Sequence, residues 1–410
     1  MERKILLSDL NACFASIEIA QNPELRGKPV AVCGSVEQRH GIVLAKSAEA
    51  KKYGVKTGMA RWQALQCCPG LITVPPHIDL YISVTDRVRE IYSDYSNQRD
   101  DFSIDESWID LTGTCRAGRE ASVAHEIRER LKAETGLTAS LGLSWNKVFA
   151  KLGSDIAGPD SVAEITRENM KDTVWKLPAE TMMGVGHATK RKLNEMGVFT
   201  IGNLAAASPE LLKLRFGKNG LVIYGFANGL DTSPVRAENV GLPVKSIGNS
   251  TTTARDMICD ADVRIVLLTL AESVGMRLRE QGFLASVLEV TQRTTDLRWS
   301  NHQRKLSRAT DSTREILDVC FELYKEARVL PLRSIGLRAS ELLPTDTPVQ
   351  MDLFVNQKKL DYHRKIDRTV DDIRMRYGFN SIKLGLTGID DKLGTLNARE
   401  EHVIHPVGFY

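Results

Sequence analysis

No disulfide framework, zinc cluster, leader or membrane span can be read in this sequence. Its cysteines number seven and include the adjacent Cys67-Cys68. An odd set without spaced CxxC pairs or a Cys/His cluster suits neither a disulfide scaffold nor a zinc site. No apolar run reaches the roughly 18 residues of a membrane helix. Met1-Glu2-Arg3-Lys4 runs straight into a strand without the apolar region of a leader. The expectation is a reduced, cytoplasmic protein with no membrane partner. A strong charge of one sign is also missing. A net +3 with pI near 8.4 permits a polyanionic partner without demanding one. What remains is a globular composition, 42% hydrophobic and 26% charged, and 410 residues leave room for two to four domains.

The chain is organised around Ser103-Ile104-Asp105-Glu106-Ser107-Trp108-Ile109-Asp110. Apolar residues alternate on both sides, Phe102 and Ile104 before, Ile109 and Leu111 after, the period of extended chain. Neighbouring side chains on a flat strand face opposite ways, so Asp105 and Glu106 share one site only where the ladder bends or ends. Carboxylates held together repel, and a divalent cation relieves the repulsion. An isolated Asp-Glu pair is ordinarily a solvated turn, so the neighbouring elements decide. Apolar patterning predicts strands at 4–8, 102–104, 108–111 and 138–143. It predicts helices at 78–93, where Leu80, Val84, Val88 and Ile91 form one stripe, and at 120–135. A helix from Ala12 to Ile19 takes Asn11 as its N-cap. With residues 11–76 set aside, the order is βαββαβ, the ferredoxin-like pattern of an α+β domain. That topology brings Asp9, at the end of the first strand, to the same sheet edge as Asp105 and Glu106. A solvated turn does not explain Asp9. Three carboxylates with open positions suit Mg²⁺, two of which can stabilise both oxygens of an in-line phosphoryl displacement.

Three ordered motifs then resemble the Y-family of translesion DNA polymerases, of the bacterial polymerase IV and polymerase V kind. They are Asp9-Leu10-Asn11-Ala12-Cys13-Phe14-Ala15-Ser16-Ile17-Glu18, the Ser103–Asp110 stretch, and Gly142-Leu143-Ser144-Trp145-Asn146-Lys147-Val148-Phe149-Ala150-Lys151-Leu152. The resemblance covers nearly the whole chain. It implies a right-hand α+β polymerase with its palm at 1–10 and 77–165 and fingers at 11–76. The thumb follows at 166–233, a linker at 234–243, a little finger at 244–343 and a C-terminal tail at 344–410. It implies that Asp9, Asp105 and Glu106 are catalytic, with the Leu10 carbonyl as a further metal ligand and two Mg²⁺ per site. Asn11, Ala12, Cys13 and Phe14 would face the incoming deoxynucleoside triphosphate, with Lys46 and Lys51 flanking it. Phe14 matches the steric gate, a clash built against a 2′-hydroxyl. The amides of 12–14, at a helix N-terminus, suit a triphosphate.

Beyond residue 165, Met183-Gly184-Val185-Gly186-His187 reads as a helix-hairpin-helix turn. Its Gly184 and Gly186, with Lys190 close by, suit contact with a DNA backbone. Residues 262–328 read as helix, strand, strand, helix between Lys245-Ser246-Ile247-Gly248 and Arg333-Ser334-Ile335-Gly336, a second βαββαβ run matching the little finger. Lys245, Ser246, Asn249, Ser250, Thr251 and Arg333 are small, polar or basic, suited to phosphates of a primer-template. Gln350, Leu353 and Phe354 resemble the peptide that binds a sliding clamp, and a charge-alternating helix follows from Leu360 to Tyr377. The expected protein is a monomeric, distributive polymerase of low fidelity, nucleoid-associated when on DNA. The competing reading is a weak or inactive homologue that only binds DNA and clamp. A nucleotidyl cyclase sharing the palm would need neither thumb nor little finger. The chain departs from polymerase IV relatives at Ala48 and Lys51, where they carry Tyr and Arg, and at Gly158, where they place a Lys.

Overall fold

The computed structural model describes residues 2–37, 39, 41–116, 118–238, 240, 243–347 and 357–394. They fall into two units, one within residues 2–34 and 42–240, the other within 243–394 together with a few residues between 35 and 41.

The first unit is built on β1 (Ile5–Leu10), whose apolar run is buried on both faces. After it come α1 (Cys13–Gln21), β2 (Val30–Cys33), β3 (Val43–Lys46), α2 (Ala48–Lys52), α3 (Arg61–Cys67) and β4 (Ile72–Val74). The three strands form a small sheet, order β3-β2-β4, over a core of Ala31, Val43, Val55, Ala64 and Leu71. Ser47 caps α2 by accepting from the Ala50 amide. Next are α4 (Ile78–Ser93), β5 (Arg99–Asp101), β6 (Glu106–Asp110), α5 (Glu120–Thr135), β7 (Ala139–Ser144), α6 (Lys147–Ile156) and β8 (Ser161–Glu164). Their sheet runs β5-β6-β1-β7-β8, with β1 antiparallel to both β6 and β7. Its first four strands follow the ferredoxin-like order, and β8 adds a parallel edge. The predicted strand at 102–104 lies instead at Arg99–Asp101, and 102–105 make the turn. The buried face of α4 is wider than the expected stripe. Leu80, Val84, Val88 and Ile91 pack into the core, and Tyr81, Thr85 and Tyr92 join them, the two tyrosine hydroxyls finding partners there, Glu18 for Tyr81 and Ser8 at 2.7 Å for Tyr92.

Two glycines seat α6 on the sheet. A Cβ on Gly142 of β7 would lie 2.0 Å from the Ala150 carbonyl oxygen, and one on Gly153 would lie 2.9 Å from the Gly142 Cα. Only a pair without side chains lets helix and strand approach this closely. Five short helices complete the unit: α7 (Met170–Thr173), α8 (His187–Glu195), α9 (Ile201–Ala206), α10 (Pro209–Phe216) and α11 (Lys218–Ala227). The stretch expected as a linker is tied to the first sheet as far as Glu238. Arg236 pairs with Asp100, Arg99 with Glu238 at 2.8 Å, and Gln98 bridges Ala237.

The second unit runs β9 (Ser246–Met257), α12 (Asp260–Glu280), β10 (Phe283–Thr294), β11 (Trp299–Thr310), α13 (Thr313–Glu326) and β12 (Leu332–Pro344). The element order repeats βαββαβ, but the pairing does not. Here the order is β11-β10-β12-β9, so the first strand takes an edge beside the fourth. α12 is buried nearly all round, with Val263, Val266, Leu267, Leu270, Ala271, Val274 and Leu278 inside together with Asp262 and Glu272. Such a helix needs cover on both sides. The sheet and α13 supply one part. The rest comes from residues expected as a tail, α14 (Gln357–Tyr377) and α15 (Asp391–Gly394). Leu393 is fully buried in the same core. Arg279 of α12 meets Asp371 at 2.6 Å, Arg374 meets Glu272 at 2.9 Å, and Arg255 meets Asp390 at 2.7 Å. The clamp-peptide residues Gln350, Leu353 and Phe354 lie outside the described residues.

Candidate active site

Antiparallel pairing of β1 with β6 sets Asp9 directly opposite Glu106. The ladder ends one residue on, where the Leu10 amide donates to the Asp105 carbonyl at 3.0 Å. Asp9, Glu106 and the Asp105 backbone therefore meet where two strands part, at the end of a sheet otherwise buried. Burial raises the Asp105 carboxyl above its usual range, and Asp9 adds to the rise, while its bond from Ser103 opposes it. Burial also pushes Glu106 up, to about 7, with Asp9 contributing and Lys151 opposing. The cost of gathering these charges is thus written in the acids themselves.

One cation faces the acids. Lys151, one turn into α6, places its ammonium 3.0 Å from Asp9 Oδ2, 2.9 Å from Glu106 Oε1 and 2.8 Å from Asp155 Oδ1. Burial alone would lower its pKa, but Asp9 and Glu106 hold it well above the ordinary lysine value. Among the described residues no three His, Cys, Asp or Glu side chains stand together in ligating arrangement. The donor set is nonetheless that of a hard divalent cation, carboxylate and carbonyl oxygens.

The first helix is entered differently from expectation. Its N-cap is Ala12, in the left-handed conformation at φ 49°, and no side chain caps it. Asn11 is occupied elsewhere. Its amide donates to Ser140 Oγ at 2.8 Å, and its oxygen accepts from the Asp160 amide at 2.9 Å and the Thr138 hydroxyl at 3.1 Å. Asn11 thus ties the end of β1 to the turn at Gly158–Asp160, and its side chain is directed away from a cap. Cys13 is buried, and its thiol is pushed up by that burial and by Asp105 and Asp9. Phe14 stacks on Tyr81, ring centres 4.4 Å apart and planes 17° apart. Tyr81 in turn donates to Glu18, which also bonds His77 Nδ1 at 2.8 Å. This support behind Phe14 escaped the sequence reading. Glu18 stood in the first motif, but nothing local tied it to a tyrosine 63 residues away. Lys46 ends β3 and bonds Thr57 Oγ1 at 3.2 Å. Burial lowers its pKa and the Lys51 ammonium adds to the fall, so the two lysines lie close together.

The candidate DNA contacts are dispersed over both units. Gly184 takes φ 84° before α8, and Gly186 is its exposed N-cap, with open space where a Cβ would stand. Lys190 pairs with Glu180. In the second unit, Ser246 and Ser250 share one face of β9 and are exposed, as is Lys245 just before. Ser246 and Ser250 lie opposite Ser340 and Gly336 of β12. Thr251 does not join them: strand alternation turns it to the helix-covered face, where it is 7% exposed. Arg333 is the residue skipped where β12 pairing shifts between Leu332 and Ser334.

Residues 8–155 match the impB/mucB/samB family, 244–353 match its C-terminal domain, and 180–231 match a thumb domain described for DNA polymerase-iota. A DNA polymerase IV of Acetivibrio thermocellus is 43% identical over 389 residues, 94% of this chain and 98% of the relative. DNA polymerase IV 1 of Bacillus subtilis is 36% identical over 388 residues, 94% of this chain and 93% of its own. A solved Y-family DNA polymerase chimera shares the fold, with TM-score 0.73 at 22% identity over 83% of this chain and 99% of that one. The class is therefore that of DNA-directed DNA polymerases, α+β nucleotidyltransferases that act on a primer-template and nucleotides and use a divalent metal. Within that class the chain belongs to the impB/mucB/samB family, the Y-family of translesion polymerases. Among the described residues no helix is long and apolar enough to cross a membrane.

Proposed function

We propose that this chain is an active translesion polymerase that adds deoxynucleotides to a primer 3′-hydroxyl with Mg²⁺, distributively and with low fidelity. The observation that carries it is the placement of Asp9 opposite Glu106 with Asp105 at the ladder's end. A scaffold that only binds DNA and clamp has no physical use for half-buried acids, two of whose pKa values are raised by burial and by Asp9 beside them. Two Mg²⁺ on Asp9, Asp105, Glu106 and the Leu10 carbonyl would polarise the attacking and leaving oxygens. The primer 3′-oxygen bonds to the α-phosphorus as the bond to pyrophosphate breaks. The first amides of α1, which have no partner within the helix, with Lys46 and Lys51, would cradle the triphosphate. Phe14, fixed from behind by Tyr81, would lie under the sugar.

In this reading residues 1–10 and 77–165 are palm, 11–76 fingers, 166–233 thumb and 244–343 little finger. Gly184, Gly186 and Lys190 of the thumb, and Lys245, Ser246, Ser250 and Arg333 of the little finger, contact DNA phosphates, which gives position without sequence preference. Gln350, Leu353 and Phe354 bind a sliding clamp. The protein acts as a monomer in the bacterial cytoplasm, on the nucleoid when engaged. Primer extension with Mg²⁺ and four deoxynucleotides tests the reading. Asp105→Asn is expected to reduce the single-turnover rate more than tenfold while DNA binding persists. A rate above a tenth of wild type would remove Asp105 from the metal site.

A further inference from the structure

Lys151 is not one of the residues assigned above to metal, nucleotide or DNA, yet it makes the closest ionic contacts in the site. We infer that its ammonium is a built-in competitor of the catalytic cations. It neutralises Asp9 and Glu106 when no metal does, and withdraws toward Asp155 when one binds. The inference rests on the reading of Asp9, Asp105 and Glu106 as metal ligands.

Three observations carry it. The ammonium lies between acids from three separate elements, β1, β6 and α6, at 2.8–3.0 Å. Two of these acids are proposed ligands. The third, Asp155, is one helical turn from Lys151 on the same helix, and its side chain is far more exposed, 43% against 26% for Asp9 and 16% for Glu106. It thus offers the lysine a resting partner away from the strand ends. Next, moving α6 is costly. Gly142 and Gly153 let it pack closely on β7, and Val148, Phe149, Ala150 and Leu152 are buried with it. Rotation of the lysine side chain, which has four flexible carbons, is therefore the less costly way to release the acids. Last, two of the three proposed ligands, Asp9 and Glu106, are paired with the ammonium, so a metal on them exchanges with a charge already present. Each contact surrendered is a charge-assisted hydrogen bond.

A chain of this design gathers its acids without paying their full repulsion, and its affinity for metal is lower than the acids alone would provide.

Mn²⁺ alone is the probe, titrated into the full-length protein and followed by electron paramagnetic resonance, with thermal unfolding in EDTA and in Mn²⁺ alongside. Asp105→Asn serves as the control that marks binding to these carboxylates. Lys151→Met is expected to tighten Mn²⁺ binding about tenfold. It is also expected to lower the unfolding temperature in EDTA and to enlarge its recovery on adding Mn²⁺. Asp155→Asn, which leaves the lysine folded and charged but removes its resting partner, is expected to weaken Mn²⁺ binding several-fold. If Mn²⁺ binds wild type in an Asp105-dependent way but Lys151→Met leaves the affinity unchanged or weaker, the competitor role is wrong. Should Lys151→Met not fold, an affinity unaltered in Asp155→Asn refutes the inference equally. If neither wild type nor Lys151→Met shows Asp105-dependent binding, the metal assignment itself falls, a separate failure.

Discussion

Truncating Arg374 to alanine tests how the C-terminal helices are held. The Arg374 side chain is 2% exposed and that of Glu272 6%. Their 2.9 Å ion pair is joined by bonds from the guanidinium to the Ile382 carbonyl at 3.0 and 3.2 Å. Glu272 sits on α12, and its carboxyl is already raised by burial, with Asp367 and Asp371 adding to the rise and Arg374 opposing it. Arg374→Ala removes the opposing charge and leaves a buried, unpaired carboxylate, a change that costs about 3–5 kcal/mol. The loss is expected locally, as opening of α14 and α15 from α12, because the sheet of the second unit keeps its own core. Hydrogen exchange on the full chain should therefore show protection of 361–394 falling by roughly a hundred- to several-thousand-fold. The pH dependence has a definite sign. A carboxyl whose folded pKa is raised favours the folded state when protonated. The penalty is full above that raised pKa, fades as pH falls through it, and is gone below the unfolded value. The difference between variant and wild type is thus expected to be smaller at pH 4 than at pH 8. Adding Glu272→Met to Arg374→Met removes both charges and is expected to recover most of the protection. Protection within threefold of wild type in Arg374→Ala, or no recovery in the double variant, would refute the argument.

Three further outcomes follow from the site. Phe14→Ala removes the ring stacked on Tyr81 and is expected to raise ribonucleotide use relative to deoxynucleotide use at least tenfold in kcat/KM; an unmoved ratio makes Phe14 a core residue only. Gly158 has no left-handed backbone, and a Cβ there would touch only Ser161 Oγ at 3.6 Å. Gly158→Lys is therefore sterically tolerated and is expected to lower KM for the incoming nucleotide several-fold in steady-state extension, since one charged contact contributes about 1.5–3 kcal/mol at most. An unchanged KM would show that Lys46, Lys51 or Lys151 already fills that role. Replacing Gln350, Leu353 and Phe354 together with alanine is expected to leave unassisted synthesis intact and abolish stimulation by a sliding clamp, with clamp titration as the check.

Much of this protein is local information. The period of two around Asp105, the apolar stripe of α4, Gly136 ending α5 and Ser47 capping α2 are short-range patterns, and they locate elements to within a few residues. In the first unit the βαββαβ order, paired in the ferredoxin-like way, brings Asp9 and Glu106 together, because there the first strand lies beside the third. The same order in the second unit does not dictate the same pairing. β9 lies beside β12 there, a choice made by long-range backbone partners that no local pattern encodes. Lys151 stood in a recognised motif, but its place among three acids depends on how closely Gly142 and Gly153 let α6 approach. The burial of Tyr81 and Tyr92 beside the apolar stripe of α4 depends on hydroxyl partners on other elements, and the orientation of Asn11 on β7 and the turn at Asp160. α12 is apolar through Ile265–Leu268, more than one face needs, but Glu272 and Arg279 hide that another layer covers it. Which segment would do so became visible only in the fold, where Arg279, Glu272 and Arg255 meet Asp371, Arg374 and Asp390. Sequence determined the elements and the chemistry available to them, since both reside in neighbouring residues. Tertiary structure decided which charges meet, because that depends on packing between residues far apart in the chain.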